Sequence, residues 1–552
     1  MRILLRPRQV QPRPVVRSIG RGSHVTFWML FCRRGVASCV FNGALFVLAS
    51  CGPHHFRDQP IAWTECRRPV RRVLAARHPS RWGLTFQRRF TGFWDRWLSL
   101  EDSAPSGDVN ALDFVPDSTW FVSSVGLGRD VESYGGPYRR DRRLDVGNLD
   151  GGPSIFGPWR LVAQGSWRVM EWALVGDLLG HQFVLTRPRH GPFGSDPIRV
   201  AYPVVASRLL WAAGYWVPRT YMVFVDPGRI RGSSIVSRCP NHRPPVSLNW
   251  QPRGCRTEPD AGRMGTWLRF AGPAVAIRLQ AGRALGPFAL TGTRPGDPSD
   301  RLAHDQRRSL RGLRMIAAWL DLTGLDEFSG VDLIRGGLVT HFLWFVGMAG
   351  WHAGHSGVRV GRGGRGGFSP SAWRPRMRHP AFESATPQDL FWAGRILAGF
   401  DVATISRAVE ACFLKQHVAS RLVHRLVRRA RFAARWGLSH SAPLVRFSIE
   451  ERAHVRRPGQ GRIVRFCFVD LWSRMGFSST RHHYDVRIMD GRGRRVGRAQ
   501  WAGKGSRVCG TLDLKGYRYS ILSVARRGGP GGHVRVHVVS SGRGMRIVGI
   551  ER

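Results

Sequence analysis

The strongest constraint on this chain is its charge: 552 residues carry a formal net charge of +48, yet 43% of them are hydrophobic. Self-repulsion of this size opposes a compact state. The 21 tryptophans and 29 phenylalanines nevertheless supply more apolar side chain than disordered proteins contain. Only three of the 85 basic residues are lysine. Since domains have about 100–200 residues, the length allows about three or four of them. We therefore expect a mostly folded, multidomain protein with an arginine-rich surface.

The arginines are spread along nearly the whole chain and are not gathered in one helix or tail. They are not interleaved with an RNP-type aromatic motif or a Cys/His zinc module. The segment 361–367, Gly-Arg-Gly-Gly-Arg-Gly-Gly, matches a dinucleotide-binding glycine pattern. It lacks the preceding strand and the following acidic residue, so we expect a flexible loop. The charge predicts weak, non-specific binding of polyanions through counterion release.

A leader-like segment occupies residues 33–51. Two arginines precede about a dozen mostly apolar residues and then Leu48-Ala49-Ser50-Cys51, the order of a secretory signal. The segment resembles the signal of bacterial lipoproteins, in which the cysteine thiol receives diacylglycerol. No later apolar run reaches the ~20 residues that span a bilayer. We therefore predict lipid attachment at Cys51, membrane contact through that lipid, and a bacterial cell-envelope protein facing the periplasm or exterior.

Composition and periodicity divide the chain into five segments of overall α+β character. They are a basic extension and lipoprotein signal (1–51), an Arg-rich arm or tether (52–114), a small β-rich lobe (115–235), a mainly helical lobe (236–440) and a C-terminal antiparallel, sandwich-like β domain (441–552). Apolar residues at helical spacing predict helices at 204–213, 305–325, 387–398 and 406–432. Short apolar or alternating runs predict strands at 180–185, 220–225, 445–449, 463–469, 484–488, 506–514, 517–524 and 533–539.

The nine cysteines form no CxxC pair, so the pattern predicts no zinc site. Cys239 and Cys255 flank a Pro-rich loop, and they either pair in an oxidising compartment or remain free thiols. His482 and His483 could bind a metal together with Asp485, but a solvated turn is the simpler interpretation because nearby carboxylates are few. We expect no metal and no cofactor.

Several strings resemble, in order, a family of bacterial lipoproteins from GC-rich organisms that has a kinase-like order of motifs. The strings lie at 109–121, 205–215, 286–298, 304–320, 380–396 and 547–552. The resemblance implies a kinase-like, two-lobed body with a small β-rich lobe and a larger helical lobe. It also implies a phosphotransferase site with a strand Lys, a helix Glu, a catalytic-loop Asp and Asn, and a metal-binding Asp.

All five of these functional positions differ in this sequence. Thr186 stands in place of the Lys, Pro203 of the Glu, Gly324 of the Asp, Ser329 of the Asn and Phe345 of the metal-binding Asp. Phosphoryl transfer depends almost entirely on the positioning and charge stabilisation that those groups supply. The resemblance therefore implies a non-catalytic, pseudokinase-like protein with no catalytic residues, which binds or scaffolds an unknown protein partner.

Other interpretations stay open at this point. Arg187 or Arg189 could meet phosphates, and Asp321 or Asp326 could replace the missing acid, which would give an unconventional phosphotransferase. A non-specific polyanion or nucleic-acid binder would instead use the general basic surface. A decayed reading frame would give a chain without a single folded state.

Overall fold

The computed structural model describes residues 56, 69–70, 74, 104–123, 152–154, 158–167, 170–188, 197–259, 272–287, 289–325, 329–344, 369–375, 379–451, 463–478, 482–503, 505–514, 516–541 and 544–552. They all belong to one unit, His55–Arg552, and form a mixed α+β structure with several sheets. The predicted lipid-attachment residue Cys51 lies outside the described residues, as do Phe345, Arg189, Asp326 and the segment 361–367.

The described part of the chain contains short and long helices and eighteen strands. The helices are α1 (Pro197–Ala213), α2 (Arg308–Trp319), α3 (Pro380–Glu383), α4 (Pro387–Leu397), α5 (Val402–Glu410), α6 (Gln416–Leu438) and α7 (Leu471–Arg474). The strands are β1 (Trp159–Trp167), β2 (Met170–Gly176), β3 (Gln182–Pro188), β4 (Thr220–Val225), β5 (Ile230–Cys239), β6 (Arg256–Pro259), β7 (Gly272–Arg278), β8 (Arg283–Ala284), β9 (Gly330–Arg335), β10 (Leu338–Leu343), β11 (Leu444–Glu451), β12 (Ile463–Asp470), β13 (His482–Asp490), β14 (Arg495–Gly503), β15 (Arg507–Asp513), β16 (Tyr519–Arg526), β17 (His533–Ser541) and β18 (Gly544–Glu551). Among these helices, none is both long enough and apolar enough to cross a bilayer.

A seven-stranded sheet in the order β4-β7-β3-β2-β1-β5-β6 precedes the helical part. β1 and β5 run parallel, and the other neighbours are antiparallel. The predicted end of the β-rich lobe, residue 235, lies inside β5, and the sheet continues to Arg278. Cys239 of β5 and Cys255, which precedes β6, form a disulfide. Of the two possibilities that the sequence left open for Cys239 and Cys255, pairing and free thiols, the structure shows pairing.

The helices α2, α4 and α6 pack together around the largest hydrophobic core. Thr386 and Asp389 form a capping box at the start of α4, with Pro387 in the first turn. α4 and α6 approach closely where Gly394 faces Gly437: a Cβ atom added to Gly394 would lie 3.0 Å from the Cα atom of Gly437. A larger residue at either position would force the two helices apart.

The single helix predicted over 406–432 was wrong, because two helices occupy this region. α5 ends at Glu410, and α6 begins at Gln416 and runs to Leu438. Phe413, between them, has a left-handed φ of 51°. Lys415 has φ −54° and ψ 138°, outside helical geometry. The backbone therefore changes direction between α5 and α6, although the apolar periodicity continues across the break.

Two antiparallel sheets follow α6, β11-β12-β15 and β14-β13-β16-β17-β18, and their buried residues share one core. The six strands predicted after residue 441 are confirmed at β11, β12, β13, β15, β16 and β17. β14 and β18 were missed because their apolar residues are few or interrupted by glycine and arginine. Cys467 pairs directly with Cys509 across β12 and β15, and the two form a second, unpredicted disulfide.

Residues 104–114 differ from the arm expected over 52–114, because they pack into the folded body. The carboxylate of Asp108 accepts hydrogen bonds from the backbone amides of Arg308 and Ser309 at the start of α2. Arg307, the residue at the cap position, supplies no side-chain cap of its own. Asp108 thus satisfies amide groups that a helix start leaves without partners.

Candidate functional site

Two of the five sequence-predicted positions meet in the connection between α2 and β9, which we call the α2–β9 loop (320–329). The Ser329 hydroxyl donates a hydrogen bond to the Gly324 carbonyl over 2.9 Å. Gly324 has no side chain, and the Ser329 hydroxyl donates its proton to the backbone carbonyl of Gly324. The loop thus presents neither a carboxylate nor an amide at the two positions where the resembled family has them.

The β9–β10 hairpin closes the other side of this loop. Its two-residue turn is Gly336-Gly337, with φ angles of 55° and 79°, the left-handed pair that tight hairpins require. The pairing of Leu343 with Gly330 returns the chain to the loop. There the amide of Trp344 donates to the Ser329 carbonyl over 2.6 Å. The hairpin therefore places Trp344, the residue before Phe345, beside Ser329.

Side chains from distant helices hold the end of α2. The Tyr202 hydroxyl donates to the Leu320 carbonyl, and the Arg429 guanidinium donates to the Ala318 carbonyl over 2.7 Å. These contacts satisfy carbonyl groups that the end of a helix leaves without partners. Asp321 follows with a left-handed φ of 51°. Burial lowers the pKa of Arg429, while the nearby Tyr202 and Asp321 oppose that shift, so Asp321 lies within electrostatic reach of this buried cation.

Thr186 and Pro203 lie on the sheet and on α1. Thr186 is fully buried on β3, and its hydroxyl donates to the Val275 carbonyl over 3.4 Å. Pro203 lies inside α1. Arg187, a candidate phosphate contact in the sequence, forms an ion pair with Glu171 at 3.3 Å. A phosphate would therefore have to compete with a carboxylate already at Arg187.

Asp332 of β9 and His341 of β10 belong to a cluster of buried charged and aromatic residues, which we call the inner ionic cluster. Its members are Trp120, Arg294, Asp300, His304, Arg307, Asp332 and His341. Asp332 of β9 pairs with Arg294 and accepts from His341 Nδ1 at 2.7 Å. The His341 ring stacks on Trp120, with ring centroids 3.8 Å apart.

The second carboxylate of the inner ionic cluster is neutralised in the same way. Asp300 accepts from His304 Nε2 at 2.6 Å and from Arg307 at 2.9 Å. Burial alone would raise the pKa of Asp300, but the bond and charge of His304, with His341 and Arg307, hold it well below its ordinary value. Asp300 and Asp332 are more than nine-tenths buried, and their lone pairs already face protein donors, so they stabilise the folded body and are not available to a ligand.

The histidine pair at 482–483 lies on β13 and not in the solvated turn that the sequence predicted. Side chains alternate along β13, so His482 is buried and His483 is exposed. His482 Nδ1 is 2.9 Å from the Arg526 guanidinium. Among the described residues, no group of three or more His, Cys, Asp or Glu side chains could hold a metal ion.

Comparison with known proteins adds no family assignment: no protein-family model matches this chain, and no curated protein matches it.

Sequence reasoning missed the inner ionic cluster as a whole. Asp300, His304 and Arg307 are close in sequence, but the chain forms only a short 3-10 turn there, at His304–Gln306, so no helical periodicity marks the three residues as a group. Arg294 and Asp332 are separated by 38 residues in sequence. Nothing in their local sequence distinguishes Arg294 from the many arginines that remain exposed.

Proposed function

We propose that this protein is a non-catalytic, lipid-anchored protein of the bacterial cell envelope, with a degenerate kinase-like, two-lobed body that binds or scaffolds a protein partner. One observation carries the non-catalytic part of the proposal: at the α2–β9 loop, Ser329 donates a hydrogen bond to Gly324, and neither residue can bear a charge. Magnesium in phosphoryl-transfer sites is held by carboxylate and amide oxygens together with the substrate phosphates. The loop lacks those groups at both positions.

The order of elements supports the kinase-like part of the proposal. A sheet with one long helix, α1, precedes α2, the α2–β9 loop and the β9–β10 hairpin. This is the order in which the resembled family places its strand, helix, catalytic-loop and metal motifs. Thr186 is hydrogen-bonded to the Val275 carbonyl, and Asp332 is paired with Arg294, all inside the fold. Such contacts support a kinase-like body whose packing is intact although the charged residues of its motifs have been replaced.

The two disulfides support the location outside the cytoplasm. Cys239 pairs with Cys255, and Cys467 pairs with Cys509. Disulfides persist in secreted and envelope proteins, whereas cytosolic thiols are kept reduced. They agree with the leader-like segment that ends at Cys51, and they come from separate parts of the sequence.

The non-catalytic part of this proposal is tested by a thermal-shift titration with ATP and magnesium or manganese. We expect no rise in melting temperature. A working site would add about 2.7 kcal/mol to the free energy of unfolding when the ligand is about 100-fold above its Kd. Tripolyphosphate with the same metal is the matched control, because it tests for general attraction of anions to this basic protein. Stabilisation by ATP beyond that of tripolyphosphate would contradict the proposal.

The anchor is tested by metabolic labelling with palmitate in a bacterial host. Cys51→Ala is expected to lose the label, because the lipid is attached through that thiol. Cys39→Ala removes another cysteine of the same leader and is expected to keep the label. An unchanged label in Cys51→Ala, or no label in the wild-type protein, would rule out the anchor.

A further inference from the structure

One face of α6 is a continuous cationic stripe, which we call the α6 solvent face. It consists of exposed residues three or four positions apart: His417, Arg421, His424, Arg428, Arg431 and Arg435. Residues at this spacing lie on one side of a helix, and at 1.5 Å per residue the stripe is roughly 27 Å long. α6 contains no Asp or Glu at all. The four arginines of this face, from Arg421 to Arg435, therefore carry charge of a single sign along about four turns.

The described residues do not neutralise this charge. Within the part of the chain that the structure describes, no carboxylate forms an ion pair with the four arginines of the α6 solvent face. Arg421 and Arg431 donate only to backbone carbonyls, of His417 and Met475. Burial, followed by the charges of Arg429 and Arg421, lowers the pKa of the neighbouring Arg425. Like charges at this spacing destabilise a helix, so an anionic partner would relieve a repulsion present in the free protein.

Aromatic rings lie alongside the α6 solvent face. Phe432 is 44% exposed, and the Arg428 guanidinium lies 5.8 Å from its ring centroid. Arg435 lies 5.7 Å from the ring of Trp472 and 5.9 Å from that of Phe477. Phe432 belongs to α6, whereas Trp472 lies on α7 and Phe477 follows that helix. Aromatic rings next to arginines are typical of protein surfaces at the headgroup level of membranes.

The packing of α6 decides which kind of anion can reach it. Its opposite side is buried against the core through Leu422, Leu426 and Ala433, so only one side of the helix is accessible. A recognition helix has to protrude to enter a DNA major groove about 12 Å wide. A straight stripe on a helix that is sunk into the body can instead lie against a flat surface.

We propose that the α6 solvent face binds the anionic headgroup layer of a phospholipid bilayer. The inference deepens the proposed function, since a lipid-anchored chain would keep this face close to a membrane. It does not require the anchor, because each arginine near an anionic bilayer contributes about 1 kcal/mol, or about fivefold in affinity. The four arginines together would give binding that is lost as salt concentration rises.

The test uses the full chain with Cys51→Ala, so that no lipid is attached, and measures co-sedimentation with vesicles. We expect binding to phosphatidylcholine vesicles that contain about one third phosphatidylglycerol, and none to phosphatidylcholine alone. Arg421→Gln with Arg428→Gln should weaken this binding about 30-fold. Arg421→Lys with Arg428→Lys keeps the charge and should keep most of the binding. If the Cys51→Ala protein does not bind these vesicles, the membrane-binding inference is wrong. The palmitate and ATP experiments test the proposed function independently of that result.

The matched control removes two exposed arginines elsewhere, Arg465→Gln on β12 with Arg507→Gln on β15. We expect it to bind vesicles nearly as well as the Cys51→Ala protein. An equal loss in this control would show that general charge and not the α6 solvent face drives binding, and would overturn the inference. Binding to heparin or RNA without binding to phosphatidylglycerol vesicles would overturn it as well.

Discussion

Replacing Asp113 by asparagine is expected to lower the free energy of unfolding by about 3–5 kcal/mol. The Asp113 side chain is 9% exposed, and its carboxylate pairs with Arg308 at 2.5 Å, Arg395 at 3.3 Å and Arg552 at 2.5 Å. Asparagine would leave these buried guanidinium groups facing a neutral amide. Arg308 keeps Asp389 as a counter-ion at 3.1 Å. The penalty therefore arises mainly from Arg395 and Arg552, whose only ion pairs among the described residues are with Asp113. Urea unfolding followed by tryptophan fluorescence measures it.

Asp485→Asn is the matched control for this prediction. Asp485 also pairs with two arginines, Arg498 at 3.0 Å and Arg527 at 2.8 Å, but both of these arginines are exposed. Water solvates exposed cations when their partner is removed, so we expect a loss of about 0.2–1 kcal/mol. Equal losses in the two variants would mean that water already reaches the Asp113 site and that its arginines are not desolvated.

The same carboxylate should make stability depend on acid. Burial alone would raise the pKa of Asp113, but Arg552, Arg308 and Arg395 overcome it and hold the pKa below its ordinary value of 3.8. A carboxyl group with a lowered pKa in the folded state stabilises the fold above its unfolded-state pKa. That contribution is lost as the pH falls below about 4 and through the lower folded-state pKa. Asp113→Asn should therefore lose less stability than the wild-type protein over this acid range.

The C-terminal sheets were the most predictable part of the fold. Alternation such as that of β13, where Tyr484, Val486 and Ile488 are buried and their neighbours point outward, identifies a half-buried strand directly. β4 was predicted with the bounds that it has, Thr220–Val225. β14 lies at the edge of its sheet and pairs with β13. Its residues are mainly small or cationic, so the pairing with β13 defines the strand and the local sequence pattern does not.

The buried charges could not have been predicted from a sequence with so many arginines. Asp108 and Arg308 are 200 residues apart, and Asp113 and Arg552 are 439 apart. Local sequence does not distinguish Arg308, which is buried, from Arg301, which is exposed. Gly324 and Ser329, by contrast, are five residues apart in one loop, and the expectation that they share a site came from the resemblance to the kinase-like motif order.

Loss of the Cys467–Cys509 disulfide is expected to be the other large effect on stability. The bond joins β12 to β15 and closes a sequence separation of 42 residues. Removing a cross-link over a loop of this length gives the unfolded chain more conformational freedom, which costs the folded state about 4 kcal/mol. The Cys467→Ser/Cys509→Ser variant should show this loss in urea unfolding without reductant.

The Cys239→Ser/Cys255→Ser variant provides the comparison, because its disulfide closes a separation of only 16 residues. The same chain-entropy argument gives a smaller loss of about 3 kcal/mol. The wild-type protein has two reducible disulfides, whereas each double variant retains one. Dithiothreitol should therefore lower the free energy of unfolding of the wild-type protein by more than it lowers that of either double variant. It should leave a variant that lacks all four cysteines unchanged. If the reductant does not affect the wild-type protein, the cysteines are not bonded in the native state, and the strongest structural support for an oxidising compartment is lost.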